Sequence, residues 1–319
     1  MKAVFLDYNT IGPQDLDMSP LMKCLPELKL YDATSRSEVP DRIESAEYIL
    51  TNKVELNTAN LSRARNLKFI GLTATGADNI DLDYTRKRNI RVCNIRSYCT
   101  QSVVEHVFSS VLNLSHNINH YQQSVKNVDW QKADDFCLIN HPIRELSTMT
   151  IGIIGYGELG KNVALMAKSF GMKILINTRS KSTLKKGDEI TPLNKLFKEA
   201  DVISLHCPLT NETRNMISEN ELSLMRNNAI LINTARGALV DSQALLEALV
   251  SKKIAGAAID VLPQEPPVGG NCLLDYQDNN LILTPHIAWA TSKAIQNAID
   301  QLAKTICAFQ VGKKLNAIT

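Results

Sequence analysis

The feature that most constrains this fold is a glycine-rich turn between an apolar run and an amphipathic stretch. Residues 150–154 lead into Gly155, Gly157 and Gly160 of GYGELG, and a helical pattern follows to about residue 170. The first glycine permits a tight turn, the second allows a pyrophosphate to approach, and the third lets helix and strand pack closely. Amides at a helix N-terminus favour an anion. The sequence therefore predicts a dinucleotide-binding turn.

Short apolar runs recur on both sides of this turn, with helical stretches between most of them, which predicts an α/β fold with parallel sheets. The early runs are 3–6, 47–51, 67–72 and 91–95, and the later runs are 150–154, 174–176, 202–205, 229–233, 255–260 and 281–284. The later series predicts a doubly wound Rossmann-type sheet. We expect a substrate domain at 1–98, completed by a final helix at 290–319, and a nucleotide domain at 99–289.

The region between the two series is expected to begin with one long helix at 101–125. Ser102 and Glu105 have the spacing of a capping box at its start. Residues 126–148 then lose periodicity and contain turn formers and two aromatic side chains. They predict a surface crossing between the domains.

Charge and cysteine content narrow the classes of partner. The 35 Lys and Arg against 33 Asp and Glu give a net charge of +2, which does not predict a nucleic-acid or membrane surface. Seven cysteines are an odd number without a C-x-x-C pair, which indicates reduced thiols and a cytoplasmic protein. No metal site is predicted.

The strand expected at 174–176 ends without the acid that usually binds an adenosine ribose. Asn177, Thr178, Arg179, Ser180 and Lys181 occupy this region. An acid would repel a 2′-phosphate, whereas hydroxyls and cations suit a charge-assisted phosphate contact. We therefore expect NADP(H) to be favoured, with NAD(H) as the alternative if the segment is only a solvated basic loop.

Three polar residues follow the last predicted strands, at the edge where open α/β sheets place their sites. They are Arg236, Glu265 and His286. A guanidinium can bind a carboxylate through two hydrogen bonds, an imidazole can exchange a proton near neutral pH, and a carboxylate can orient that imidazole. This set suits the reduction of a 2-keto acid.

Along nearly its whole length the chain resembles the D-isomer-specific 2-hydroxyacid dehydrogenase family. The motifs that carry the resemblance are ATGADNID, GIIGYGELG, HCPLTNET, INTARGALVD, GAAIDVLPQEPP and TPHIAWA. The stretches LTNKV at 50–54, DFCLINHPIREL at 135–146 and HIAWA at 286–290 are similar to the glycerate dehydrogenase, or hydroxypyruvate reductase, branch. The resemblance implies reduction of hydroxypyruvate to D-glycerate, with glyoxylate as a second substrate, and a flavodoxin-like substrate domain.

The resemblance also implies roles for individual residues. Arg236 would hold the substrate carboxylate, His286 would exchange the proton, and Glu265 would stabilise the protonated imidazole. Substrate contacts are expected from Lys53, Thr75 and Gly76. Cofactor contacts are expected from Gly155, Gly157, Glu158, Leu159, Gly160, Thr178, Arg179, Ser180, Cys207, Pro208, Thr213, Thr234, Ala235 and Asp260, with Asp260 on the nicotinamide amide. The family typically forms a two-fold dimer through residues 101–148, so a homodimer is expected.

Other functions are compatible with the same motifs. A 3-phosphoglycerate dehydrogenase or another D-2-hydroxyacid dehydrogenase is the nearest alternative enzyme, and formate or phosphite oxidation shares the spacing. A co-repressor-like protein that senses NAD(H) is the alternative without catalysis. Fold alone does not decide among them.

Overall fold

The computed structural model describes residues 1–12, 15–180, 184 and 189–319, which form two compact units. The first unit contains Met1–Cys99 and Trp289–Thr319, and the second contains Thr100–Ala288. The first unit is therefore discontinuous in sequence.

The first unit is built on a five-stranded parallel sheet. Its strands are β1 (Ala3–Phe5), β2 (Leu28–Leu30), β3 (Tyr48–Thr51), β4 (Phe69–Leu72) and β5 (Arg91–Cys93). Its helices are α1 (Ser19–Cys24), α2 (Val39–Ile43), α3 (Thr58–Leu61), α4 (Leu82–Lys87) and α11 (Ser292–Gln310). The strand order β2-β1-β3-β4-β5 is the flavodoxin-like order, which confirms the expected fold class. β2 was not predicted, because LKL is too short to show a strand pattern.

Helix α11 covers one face of this sheet. Its apolar stripe places Ile299, Leu302 and Ile306 in the same buried cluster as Phe5 and Phe69. The opposite face packs against residues of the shorter helices, including buried side chains of α2 and α3. A parallel sheet covered on both faces explains why its strands are continuous apolar runs.

A disulfide joins the two sequence segments of the first unit. Cys24 in α1 is bonded to Cys307 in α11, with their Cα atoms 6.0 Å apart. The expectation that all seven cysteines are reduced is therefore wrong for this pair. The reason is that α1 and α11 pack side by side, a proximity that residue spacing along the chain does not reveal. The free cysteines are Cys93, Cys99, Cys137, Cys207 and Cys272.

The second unit is built on a six-stranded parallel sheet. Its strands are β6 (Thr150–Ile154), β7 (Lys173–Asn177), β8 (Val202–Leu205), β9 (Ile230–Asn233), β10 (Gly256–Ile259) and β11 (Leu281–Leu283). Its helices are α5 (Thr100–Ser115), α6 (Ile118–Lys126), α7 (Glu158–Ser169), α8 (Leu193–Glu199), α9 (Glu219–Leu224) and α10 (Ser242–Val250). The order is β11-β10-β9-β8-β6-β7, and Ile190 adds a parallel bridge to Ile176 in β7. With that bridge the order follows the Rossmann pattern, which reverses between β6 and β8.

Three expectations for residues 101–148 are wrong. The long helix is divided into α5 and α6 at Asn117, whose φ of 52° does not continue a right-handed helix. Ser102 is no cap, because α5 begins at Thr100 and the buried Ser102 hydroxyl donates to the Ala288 carbonyl at 2.7 Å. Residues 126–148 do not connect the units, since they lie wholly within the second one.

Among the described residues, no helix has both the length and the apolar character needed to cross a membrane. No group of three or more His, Cys, Asp or Glu side chains within the described ranges is arranged to hold a metal ion.

Candidate active site

The turn between β6 and α7 has the geometry that a pyrophosphate requires. Gly155 has a φ of 96°, and its amide donates to the Asn177 carbonyl at 2.8 Å. A Cβ on Gly160 would lie 2.1 Å from the Gly155 carbonyl oxygen, so helix and turn approach too closely for a side chain. A Cβ on Gly157 would meet no atom within 4 Å. Gly157 therefore leaves open space in front of the first turn of α7, beside Glu158 and Leu159.

The segment after β7 presents polar groups to solvent. The Asn177 side chain donates to the Thr191 carbonyl at 2.9 Å, and the Ser180 amide donates to the Thr178 hydroxyl at 3.3 Å. The Arg179 side chain is 71% exposed and lies 4.0 Å from Glu212. Lys181, which the sequence adds to this cluster, lies outside the described residues.

The end of β8 carries His206, a half-buried histidine that was not predicted as a site residue. The His206 ring shares a 2.8 Å hydrogen bond between Nε2 and the Ser204 hydroxyl, whereas its buried Nδ1 has no partner among the described residues. Desolvation lowers the pKa of His206 to about 4, so the ring is neutral at neutral pH. Burial likewise raises the pKa of the adjacent Cys207 thiol. The Thr213 hydroxyl is used internally, since it donates to the Pro208 carbonyl at 2.8 Å.

The loop after β9 holds Arg236 through the buried side chain of Asn233. The Asn233 carboxamide accepts from the Ala235 amide at 3.0 Å and donates to the Arg236 carbonyl at 2.9 Å. The Arg236 side chain is exposed, and its Nη1 donates to the Ala235 carbonyl at 2.7 Å. The Thr234 hydroxyl is buried without a hydrogen-bond partner in the described part of the chain. Asn233 was missed because an Asn at a strand end resembles any turn residue.

A close backbone approach brings the Arg236 loop beside the loop that follows β10. A Cβ on Gly237 would lie 2.0 Å from the backbone carbon of Leu262, so only glycine fits there. The Leu262 amide donates to Glu265 Oε1 at 2.9 Å. Glu265 Oε2 in turn lies 2.6 Å from His286 Nδ1. Arg236, Glu265 and His286 thus follow the three adjacent strands β9, β10 and β11.

Asp260 anchors the loop that carries His286. Its carboxylate, 2% exposed as a residue, accepts from the Thr284 hydroxyl at 2.6 Å and from the amides of Ile287 and Ala288 at 2.8 and 2.9 Å. His286 itself has a φ of 57°, an unfavourable conformation for a residue with a side chain. Three donors on one buried carboxylate hold this conformation in place. The expected contact of Asp260 with the nicotinamide amide stays a prediction.

His106 of α5 adds a further contact at this point. Its Nε2 lies 3.3 Å from the Thr284 hydroxyl and 4.0 Å from Asp260 Oδ1. His106 was not predicted as a site residue, because its neighbours Asp260 and Thr284, which follow β10 and β11, are remote from it in sequence.

The expected substrate residues of the first unit follow β3 and β4. The Thr75 carbonyl accepts from the Asn94 side chain at 2.7 Å, which fixes the peptide between Thr75 and Gly76. The Lys53 amide donates to Asp7 at 2.6 Å, while the Lys53 side chain is exposed. Asp7 was not predicted as a site residue.

The carboxyl edge of the second sheet fits a dinucleotide. Its features are the open space before α7, the exposed polar groups after β7, and two buried polar atoms that have no partner within the described ranges, His206 Nδ1 and Thr234 Oγ1. Buried polar atoms normally have partners, so these two indicate a polar ligand. The His286–Glu265 pair lies at the same edge of the sheet, where it can exchange a proton with a bound acid.

Comparison with protein families identifies the same region. Residues 108–288 match the model described as D-isomer specific 2-hydroxyacid dehydrogenase, NAD binding domain. A glycerate dehydrogenase of Methylorubrum extorquens is 41% identical over 319 residues, covering 99% of this chain and 98% of that protein. A hydroxypyruvate reductase of Blautia hydrogenotrophica is 34% identical over 323 residues, covering 100% of this chain and 99% of that protein.

A similar solved structure extends the match to the whole fold. It is the D-lactate dehydrogenase from Aquifex aeolicus complexed with NAD and lactic acid, with a TM-score of 0.82 and 34% identity. The match covers 98% of this chain and 96% of the other. Both units therefore have counterparts in a protein that binds NAD and a hydroxy acid.

Proposed function

We propose a reaction for this chain from the premise that it belongs to the D-isomer-specific 2-hydroxyacid dehydrogenase family, as its motifs predicted. The reaction is reduction of a small 2-keto acid by a nicotinamide cofactor, with hydroxypyruvate as the favoured substrate and glyoxylate as the second. The names of the glycerate dehydrogenase and hydroxypyruvate reductase relatives support this choice. The observation that carries the chemistry is the 2.6 Å contact between Glu265 and His286.

That contact supports a role for each ring nitrogen. Nδ1 lies against Glu265, and we propose that Nε2 is the nitrogen of His286 that exchanges a proton with the substrate oxygen. In reduction, protonated His286 donates from Nε2 to the developing alkoxide, and Glu265 stabilises the positive ring. In oxidation the neutral ring accepts the hydroxyl proton at the same atom. Asp260 keeps the ring at a fixed position by holding the backbone of the loop.

Arg236 is proposed to bind the substrate carboxylate. A planar guanidinium presents two parallel donors to a carboxylate, and Asn233 fixes the backbone from which the side chain extends. The contact also draws electron density from the neighbouring keto carbon. Contributions from Lys53, Thr75 and Gly76 stay predictions.

The chain binds a nicotinamide cofactor, and when bound this group supplies the hydride. Gly155, Gly157 and Gly160, with Glu158 and Leu159, are proposed to hold the pyrophosphate at α7. The remaining contacts are proposed for Cys207, Pro208, Thr213, Thr234, Ala235 and Asp260. Thr178, Arg179 and Ser180 are proposed to favour the 2′-phosphate of NADP(H), because hydroxyls and a cation stand where an acid would otherwise bind a ribose.

Initial rates test the reaction directly. Hydroxypyruvate, glyoxylate, pyruvate and 3-phosphohydroxypyruvate are each offered with NADPH and with NADH. We expect the highest kcat/KM with hydroxypyruvate and a lower value with glyoxylate, which lacks one hydroxymethyl group. A preference for 3-phosphohydroxypyruvate or pyruvate would replace the substrate assignment. No turnover with any of these acids would overturn the proposed function.

A substitution at Arg179 tests the proposed preference for NADP(H). Replacing Arg179→Ala is expected to raise the KM for NADPH about tenfold, or about 1.4 kcal/mol, with little change for NADH. Glu212→Gln is the matched variant, because it removes the anion 4.0 Å from Arg179 and is expected to favour NADPH further. Equal effects of Arg179→Ala on both cofactors would show that the segment is an ordinary basic loop.

A homodimer is proposed as well. The segment at 126–148 exposes several large apolar side chains, with Phe136 90% and Ile139 84% exposed. Exposed apolar patches of this kind mark interaction surfaces. Sedimentation of the wild type and of a Phe136→Asp, Ile139→Asp variant tests it, with a dimer expected only for the wild type. A wild-type monomer would contradict the proposal.

The cytoplasmic location stays a prediction. It was based on reduced cysteines, and the Cys24–Cys307 disulfide argues against that basis, since disulfides persist mainly in oxidising compartments. Counting reactive thiols in protein isolated without reductant tests the bond. Five accessible thiols after unfolding are expected if the disulfide is intact, in agreement with the five free cysteines.

A further inference from the structure

The carboxylate of Asp7, which lies just after β1, holds the loop that follows β3. Asp7 is buried, with 3% of its surface exposed. Its carboxylate accepts from the amide of Asn52 at 2.9 Å, from that of Lys53 at 2.6 Å and from that of Val54 at 3.2 Å. Three consecutive amides therefore point at one anion.

A second set of bonds ties the same loop to the segment after β1. The Asn52 side chain donates to the Thr10 hydroxyl at 3.1 Å, and that hydroxyl donates to the Asp7 carbonyl at 2.7 Å. β1 and β3 are neighbours in the sheet, so the anchor reaches across one strand spacing. The backbone at Lys53 is thus fixed from both its own strand and the adjacent one.

This anchoring matters because of the side chain that the loop carries. Lysine has a four-carbon stem that ends in a compact cation, so the position of its backbone sets the region that the ammonium group can reach. The Lys53 side chain is exposed and borders an open cavity of about 730 Å³ in the first unit, which Asp7 and Thr10 also line. A loosened loop would let the ammonium group spread over many positions.

We propose that Asp7 is a positioning residue for substrate binding, acting through the backbone of Asn52–Val54 on the cation of Lys53. The inference rests on the proposed function, in which the substrate is an anionic 2-keto acid and Lys53 contributes to its binding. Asp7 does not touch the substrate. Its effect therefore falls on the KM for the keto acid, while the KM for the cofactor, whose proposed contacts belong to the second unit, is unaffected.

Asp7→Asn tests the inference with the least change of shape. The introduced amide nitrogen cannot accept a hydrogen bond and would face an amide donor, so part of the three-amide contact is lost. We expect the KM for hydroxypyruvate to rise about tenfold, with kcat and the KM for the cofactor within about twofold of the wild type. Thr10→Val loosens the same loop more mildly and is expected to raise that KM about threefold.

Asp81→Asn is the matched control in the same unit. The Asp81 carboxylate accepts from the Tyr84 amide at 2.9 Å and from the Thr58 hydroxyl at 2.6 Å, so the substitution removes a similar acceptor at the start of α4. It is expected to leave the KM for hydroxypyruvate unchanged. A merely structural role for Asp7 would instead give Asp7→Asn and Asp81→Asn the same pattern, a lower Tm without a selective change of KM.

A double substitution distinguishes the positioning role of Asp7 from the proposed reduction of a keto acid. Lys53→Met alone is expected to raise the KM for hydroxypyruvate about tenfold, and Asp7→Asn in that background is expected to add less than twofold. Independent, multiplying effects would overturn the positioning role, and so would an unchanged KM in Lys53→Met. Either result would leave the reductase assignment intact, because the wild type still turns over; that assignment fails only if the wild type reduces none of the keto acids. If Asp7→Asn does not fold, Thr10→Val decides by the same criteria.

Discussion

The two units hold their candidate substrate and proton-transfer loops in the same way, but the side chains on those loops are proposed to do different things. In the first unit the Asp7 carboxylate accepts hydrogen bonds from three amides of the loop that carries Lys53. In the second unit the Asp260 carboxylate accepts hydrogen bonds from two amides of the loop that carries His286. In both cases a buried carboxylate on one strand end fixes the loop after the adjacent strand. The Glu265 carboxylate, 2.6 Å from Nδ1, also orients the His286 ring.

The difference follows from what each side chain is proposed to do. Proton transfer requires one nitrogen atom at hydrogen-bond distance from one oxygen atom, so both the backbone and the ring must be fixed. Attraction between a cation and an anionic substrate falls off slowly with distance. The exact position of a lysine ammonium group is therefore less critical than that of the His286 ring, and anchoring of its backbone has a smaller effect on catalysis. Variants of the two loops are expected to differ in which kinetic constant they change.

The largest effect is expected from His286→Ala. Loss of the proton donor is expected to lower kcat by about 10²- to 10⁴-fold, because general acid–base catalysis contributes about that factor. Cofactor affinity, measured by titrating NAD(P)H fluorescence, should be nearly unchanged. Rapid turnover in this variant would show that His286 is not the proton donor. The proposed difference between the His286 loop and the Lys53 loop would then be wrong.

An intermediate effect is expected from Asp260→Asn. The substituted amide loses acceptor capacity toward the Ile287 and Ala288 amides, so the His286 loop relaxes from its positive-φ conformation. We expect kcat to fall roughly tenfold to a hundredfold, a change of about 1.4 to 2.7 kcal/mol, with the KM for the keto acid unchanged.

The same variant separates two roles of Asp260. A positioning role predicts a loss of kcat at constant cofactor affinity. A dominant contact with the nicotinamide amide predicts weaker cofactor binding instead. If the KM for the keto acid rose as in Asp7→Asn, the two anchored loops would be functionally alike.

The smallest effect on turnover is expected at the end of β8, where a substitution of His206 changes the pH dependence of stability. The folded-state pKa of His206 is about 4, whereas an unperturbed histidine titrates near 6.5. Folding therefore opposes protonation of the ring. Because of this, the contribution of His206 to the free energy of unfolding is fully present above about pH 6.5 and is lost as the pH falls toward 4. Between pH 7.5 and 5 the wild type is expected to lose about 2 kcal/mol more than His206→Gln.

Urea unfolding at several pH values measures this difference. The variant should show a shallower decline between pH 6.5 and 4, because it lacks the group that must charge. Identical slopes would mean that the ring takes up its proton at the same pH in the folded and in the unfolded protein.

Sequence patterns predicted the fold class because strand, turn and helix signals are local. The GYGELG turn and the apolar runs of the second unit correspond to β6–β11 within one or two residues. Arg236, Glu265 and His286 could be selected because each follows such a run. The contact between Glu265 and His286 could not be predicted from sequence, since the 2.6 Å distance depends on how the loops after β10 and β11 fold back.

The missed features depend on contacts between distant segments. Asp7 binds amides about 45 residues further along the chain, and backbone amides carry no sequence signal. Cys24 and Cys307 are separated by 283 residues and meet only because two helices pack together. Asn117 ended a helix that hydrophobic spacing alone would continue, because it adopts a left-handed conformation.

The late position of α11 has a consequence for synthesis on the ribosome. Residues 1–99 emerge early, yet the side chains that cover one face of their sheet, including Ile299 and Leu302, come after the entire second unit. At about 5–20 residues per second, residues 100–288 take roughly 10 to 40 s to appear. During that interval an apolar sheet face lacks its cover. The nascent chain should therefore complete the nucleotide-binding unit first, and the first unit should depend on chaperones until its final helix arrives.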